Sequence, residues 1–193
     1  MRGSEDAAIG QSRDSRVQRF QEQILPHLTS LHRTALRLVG TPADAEDLVQ
    51  ETCLRAFRAL DQLKDPAAAK AWVFAVLRSV SLRHFEREAG RIVAPVELSD
   101  ALPLPQARSF TDVAADSPLQ RARLEEVRAA TLRLPRPYRE AIALAHVAGF
   151  SYREMSQILE IPVGTVMSRL FRARRLLRDA LADTPPAASK LVS

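Results

Sequence analysis

Five arginines and one aspartate fall within eighteen consecutive residues, "GTVMSRLFRARRLLRDAL" (164–181), which gives the stretch a net charge of +4. Thr165, Ser168, Arg169 and Arg172 recur at i, i+3, i+4 and i+7, so a helix would gather them on one face. That face is made of donors suited to phosphate oxygens and base edges. Val166, Leu170, Ala173 and Leu177 recur at i, i+4, i+7 and i+11 and form a separate core stripe. Taken alone, the helix admits two readings, a solvated basic face or a nucleic-acid reader. Arg174, Arg175 and Arg178 are equally open between phosphate contacts and solubility. Phe171 lies off the core stripe and is open between peripheral packing and a contact to a thymine methyl or a sugar.

Other chemistries lack their residues. His27, His32, His84 and His146 are scattered, and none stands at a metal-ligand spacing from Cys53. No glycine-rich phosphate loop is present. No catalytic residue, metal or cofactor is therefore expected, and the chain is not read as an enzyme. His32 and His146 are read as packing or surface residues. The single cysteine rules out an internal disulfide and suits a reducing compartment. It falls on a predicted core stripe, which implies a buried thiol.

The basic helix needs elements to present it. Ser151 followed by Glu154 is the capping-box spacing that fixes a helix start, here for a short helix from Tyr152 to Leu159. The turn "EIP" and a helix from about Val163 to Leu181 complete a helix-turn-helix, whose second helix can enter a major groove. This arrangement favours DNA over the solvated face. Upstream, helical periodicity runs from Leu119 to about Leu134. "LPRPYRE" then ends one helix and starts another, with Pro137 in its first turn. The second block reads as a separate four-helix unit.

The first block is also helical. Phe20, Ile24, Leu28, Leu31, Ala35 and Leu38 repeat at helical spacing, with Pro26 bending or interrupting the run. Gly40 is a helix stop and Thr41 an N-cap before Pro42, with Asp44, Glu46 and Asp47 at the positive end of the next helix. That helix should reach about Leu63. Its core stripe is Ala45, Val49, Cys53, Ala56 and Phe57, and its other side offers Asp47, Gln50, Glu51 and Leu54. Spacing alone favours a solvated acidic surface there, with Leu54 the one hint of a protein-binding face. A third helix, about Ala67 to Glu88, carries Trp72, Val73, Val76, Leu77 and Val80, making a three-helix bundle.

Residues 91–117 hold three prolines and no sustained periodicity, the signature of an interdomain tether. The whole chain of 193 residues is 46% hydrophobic and 5% aromatic with a formal charge of +5. Those values suit helices, a real core and an anionic partner. No apolar run approaches the ~20 residues of a membrane span, and "MRGSEDAAIG" lacks a secretory apolar stretch. A soluble, cytoplasmic, all-α protein is expected. It is divided into a disordered N-terminus (1–16), a helical domain (17–90), a flexible linker (91–117), a helix-turn-helix domain (118–183) and a disordered tail (184–193).

"DAEDLVQETCLRAFRAL", "KAWVFAVLRSV" and "LPRPYREAIALAHVAGFSYREMSQILEIPVGTVMSRLFRARRLL", in this order, resemble segments of the extracytoplasmic-function (ECF) sigma factors of the sigma-70 family. The resemblance covers about 20–88 and 118–181 and implies sigma domains 2 and 4. It implies a factor that binds core RNA polymerase and directs promoter-specific initiation by recognising −35 and −10 elements and helping DNA to melt. Asp47, Gln50, Glu51 and Leu54 would dock on the β′ clamp helices, and the β flap would be a further polymerase contact. Lys70, Arg78, Ser79, Arg83 and Arg87 would lie along the −10 DNA, with Trp72 mainly holding their helix in place. Thr165, Ser168, Arg169, Phe171, Arg172 and Arg175 would meet the −35 element. Asp100 and Asp112 of the tether would occupy a nucleic-acid path in the polymerase. The resemblance also implies an anti-sigma factor and a stress-response role. Three departures bear on promoter choice: Ser79 where an Asn follows the arginine in many members, Ala75 where an Arg is common, and Met167 at a position basic in many relatives. The rival reading is a helix-turn-helix regulator that acts without polymerase. A receiver domain would show alternating strands and helices, and this sequence has no such pattern.

Overall fold

The computed structural model describes residues 14–88 and 118–182. The tether and the extreme termini lie outside the described residues, Asp100 and Asp112 included. Residues 14–16, assigned above to the N-terminal segment, already belong to the first helix. Every regular element among the described residues is helical.

Helix α1 covers residues 14–23. Pro26 interrupts the run as its locked φ requires, within a 3-10 turn Leu25–His27. Helix α2 (Leu28–Val39) ends at Gly40, which takes φ +91° and donates its amide to the Leu36 carbonyl. This left-handed stop is cheapest for glycine. Thr41 caps α3 (Pro42–Arg58), its Oγ1 accepting the Asp44 amide at 3.2 Å. The α-helix ends at Arg58 rather than Leu63, and a 3-10 turn Leu60–Gln62 finishes the segment. Helix α4 (Ala69–Glu88) follows a short turn capped by Asp65.

The second block holds α5 (Pro118–Arg133), α6 (Arg136–Ile142) with a π-helical turn Ala143–Val147, α7 (Tyr152–Leu159) and α8 (Val163–Ala182). The buried side of α3 is Ala45, Leu48, Val49, Thr52 and Ala56, so the expected stripe needs correction. Thr52 is fully buried because its hydroxyl donates to the Leu48 carbonyl at 2.7 Å. Cys53 is only half-buried, since it sits beside that stripe rather than on it. Burial still pushes its thiol pKa up.

A second correction concerns independence. The tether suggested two separate units, yet one hydrophobic cluster runs from Leu31, Phe74 and Leu77 into Leu144, Phe150 and Leu159. Helix α4 lies against α7, and α2 lies against α5, α6 and the π-helical turn. The physical cause is on α4. Phe74, only 1% exposed, adds a second apolar face beside Val73, Leu77 and Val80, and a helix apolar on two faces must be covered on both.

Candidate nucleic-acid interface

Helix α8 owes its orientation to the unit before it. Ser151 and Glu154 close the capping box: the Glu154 amide donates to Ser151 Oγ at 3.4 Å, and the Ser151 amide donates to Glu154 Oε2 at 2.8 Å. The Ser151 hydroxyl also donates to Glu154 Oε2 at 2.6 Å, and this bond, then that from the Ser151 amide, holds the Glu154 carboxyl below its ordinary pKa. Helix α7 stops at Glu160, a non-glycine residue at φ +51°. The Ile161 amide then donates to the Ser156 carbonyl and Ser156 Oγ donates to the Ile161 carbonyl, which fixes the tight turn into α8.

Val166, Leu170 and Ala173 are buried and Leu177 packs against the core, the expected stripe. Thr165, Ser168, Phe171 and Arg172 are partly exposed and Arg175 is exposed. Ser168 Oγ donates to the Thr165 carbonyl at 3.0 Å, so its hydroxyl hydrogen is engaged and acceptor capacity remains. Arg169 stands apart from this set. It borders the core, and burial lowers its guanidinium pKa, with Glu140 opposing and Arg78 reinforcing that shift. Phe171 is partly exposed and lies outside the core cluster.

On α4, Ser79, Arg83 and Arg87 are exposed, with Arg87 Nε donating to the Arg83 carbonyl. Trp72 is partly buried against the core. Lys70 and Arg78 are turned toward the second block. Lys70 Nζ donates to the Ala148 carbonyl, and Arg78 Nη1 pairs with Glu160 Oε2 at 3.4 Å. On the opposite side, Arg139 Nη1 donates to the Leu38 carbonyl at 2.6 Å and Arg128 Nη2 to the Gly40 carbonyl at 2.8 Å. Lys70, Arg139 and Arg128 thus each cap the C-terminal end of a helix in the other block, where orphan carbonyls favour a cation. This layer was missed from sequence, because nothing local marks it.

The third set lies on α3. Asp47 and Gln50 are exposed, Leu54 is 52% exposed, and Glu51 is half-buried in an i,i+4 pair with Arg55. Gln50 also lines a groove between α2 and α3 with Leu28, Thr29, His32 and Val49. His32 is thus a groove residue. His146 is half-buried, its ring pKa lowered by burial and by Arg174, whose Nη2 is 3.4 Å from its Nε2.

Comparison with known proteins agrees with this division. Residues 24–91 match the Sigma-70 region 2 family model, and residues 124–177 match Sigma-70, region 4. The chain is 36% identical over 164 residues to ECF RNA polymerase sigma factor EcfG of Rhodopseudomonas palustris (strain TIE-1), covering 84% of both chains. It belongs to the ECF sigma factors of the sigma-70 family. Another ECF relative, SigL of Mycobacterium tuberculosis (strain H37Rv), is 35% identical over 81% of this chain and 85% of its own. A solved ECF-type fold is the sigma factor RpoE of Bartonella quintana, in complex with the anti-sigma factor NepR. It matches with TM-score 0.62 at 28% identity, covering 86% of this chain and 98% of that one. CnrH, solved in complex with the cytosolic domain of CnrY, shares the fold at TM-score 0.59 and 24% identity. Sigma factors are not a family of catalytic enzymes. No helix among the described residues of this sigma factor is long and apolar enough to cross a membrane.

Proposed function

We propose that this ECF sigma factor works in the cytoplasm as an adaptor with three contact faces. It binds core RNA polymerase and directs promoter-specific initiation. Asp47, Gln50, Glu51 and Leu54 dock region 2 on the β′ clamp helices, and region 4 meets the β flap. Helix α8 reads the −35 element through Thr165, Ser168, Phe171, Arg172 and Arg175, with Arg169 joining once it leaves the core border. Helix α4 serves the −10 element through Lys70, Arg78, Ser79, Arg83 and Arg87, with Trp72 in support.

The observation that carries this reading is the capped α7–α8 unit, whose basic outward face is set by the buried Val166–Leu170–Ala173 stripe. Two elements centred near −35 and −10 are separated by about 25 base pairs, or roughly 85 Å at 3.4 Å per step. A compact body of this size is only about 40 Å across. Regions 2 and 4 therefore separate when both elements are bound, which frees Lys70 and Arg78. Extruding a −10 base costs a few kcal/mol of unstacking, so melting belongs to the polymerase complex and not to the free factor.

The similarity to an RpoE solved with its anti-sigma factor supports an anti-sigma partner here as well. A regulator independent of polymerase is not favoured, because it has no use for region 2. The test is run-off transcription by the full chain with core polymerase on a genomic library. Absence of any promoter-specific transcript would sink the reading.

A further inference from the structure

Helix α8 carries an apolar edge beside its polar face. Val163, Met167 and Phe171 succeed one another at intervals of four, so they lie one turn apart along one flank. Val163 opens the helix and is 38% exposed, while Met167 and Phe171 are partly exposed. None of the three belongs to the hydrophobic core, to which α8 contributes Val166, Leu170 and Ala173. The helix start is also open around them: a Cβ placed on Gly164 would meet no atom within 4 Å.

The N-terminal residues of a groove-reading helix are the ones that reach base edges. In the major groove every base pair presents hydrogen-bond donors and acceptors, and the one methyl group is the C5-methyl of thymine. Valine can hydrogen-bond neither a phosphate nor a base edge and methionine offers only a weak sulfur acceptor, so the main gain open to them in the groove is that methyl. Methionine is well suited, being flexible and polarizable.

We propose that Val163 and Met167 are specificity-determining residues that select thymine within the −35 element through its C5-methyl group, with Phe171 continuing the edge. The assignment rests on reading α8 as the −35 helix. It explains what Met167 does in place of a basic side chain: a polar requirement at one base step becomes an apolar one.

The experiment uses the full chain with core polymerase on templates randomised over the −35 segment, followed by synthesis of the best-transcribed template with each −35 thymine replaced singly by deoxyuridine. Thymine should be selected at one or two positions. Losing its methyl there should lower transcription at limiting template about fourfold, the equivalent of about 0.8 kcal/mol for one methyl-sized group at 1.4 kcal/mol per tenfold. Val163→Ala and Met167→Ala keep a helix-favouring residue, and circular dichroism checks their fold. Each should read thymine and deoxyuridine alike at its own position. The proposal is overturned if deoxyuridine is read like thymine throughout, if no thymine is selected, or if both variants keep the wild-type methyl dependence. Loss of all promoter-specific transcription by the wild-type chain would instead refute the sigma reading itself.

Discussion

Lys70 Nζ stands 2.7 Å from the Ala148 carbonyl oxygen and 4.6 Å from the centroid of the Phe150 ring. A residue at the start of α4, in region 2, thereby caps a region 4 helix. Its ring neighbour packs edge-on against Phe74, with centroids 4.9 Å apart and planes at 78°. One aromatic side chain therefore serves both the apolar and the cationic contact between the two regions.

Phe150→Ala should test that joint role. It leaves Phe74 facing a cavity and removes the ring beside Lys70, so unfolding in urea should show a loss of about 3 kcal/mol or more. Small-angle scattering should show a larger radius of gyration as the regions part. An unchanged radius would show that the bonds from Arg128 and Arg139 to α2 hold the regions together without it.

Gly40 and Gly149 form a matched pair. Both have positive φ, +91° and +71°, but a Cβ on Gly40 would stand 2.9 Å from Leu132 Cδ1 whereas one on Gly149 meets nothing within 4 Å. Gly149→Ala should cost only the left-handed strain, about 1–2 kcal/mol. Gly40→Ala should cost more, because Leu132 of α5 must also give way. Equal losses in denaturant unfolding would mean that Leu132 moves freely.

The capping box gives a pH dependence. The Ser151 hydroxyl, then the Ser151 amide, hold Glu154 below its ordinary value of 4.5. A carboxyl whose folded pKa is depressed contributes fully above the unfolded value, and the contribution is lost as pH falls through the folded one. Glu154→Gln should therefore be less stable than the parent at neutral pH, with the gap closing below about pH 4.5. A gap of constant size across that window would refute the charge-dependent bond.

Local signals in the sequence proved readable where one short segment settles the outcome. Gly40, Thr41 and the Ser151–Glu154 box needed only neighbouring residues, so helix ends and the helix-turn-helix could be located before any contact was known. Burial on α3 was read less well, because stepping by fours from Ala45 skips Leu48 and Thr52 and lands on Cys53. The closure of region 2 on region 4 was not legible. It depends on Lys70, Phe74 and Arg78 at intervals of four meeting Ala148, Phe150 and Glu160, pairs 76 to 82 residues apart whose complementarity appears only once both chains of helices exist. A clue was present in α4 itself, since Phe74 extends its apolar surface beyond one stripe. The same closure is why Lys70 and Arg78, assigned to DNA by resemblance, are found at region 2–region 4 contacts, and Arg169, placed on the donor face by its spacing, has Arg78 of region 2 beside it at the core border.

Arg172 on α8 separates base reading from phosphate binding. Arg172→Ala should reduce transcription from the preferred −35 sequence by about 1–3 kcal/mol if its guanidinium makes a bidentate base contact, and less on a sequence altered at that base. A loss of equal size on every −35 variant, with a shallower salt dependence, would assign it to a phosphate instead.

Leu54 tests the polymerase face with little risk to the fold. Its side chain is half in solvent and caps no helix, while Asp47 and Gln50 share its exposed side of α3. An apolar side chain kept in water by the free protein gains when a partner covers it, about 1.5–3 kcal/mol for a fully buried leucine. Leu54→Ala should leave the unfolding midpoint almost unchanged and weaken assembly with core polymerase by about tenfold or more, whereas Leu54→Asp should weaken it further by burying a charge. DNA binding by α8 should be unaffected, because that helix lies in the other region. Titration of labelled factor with core polymerase measures the effect directly. Full affinity in Leu54→Asp would remove this face of α3 from the docking surface, and the α2–α3 groove around Leu28 and His32 would then be the surface to substitute next.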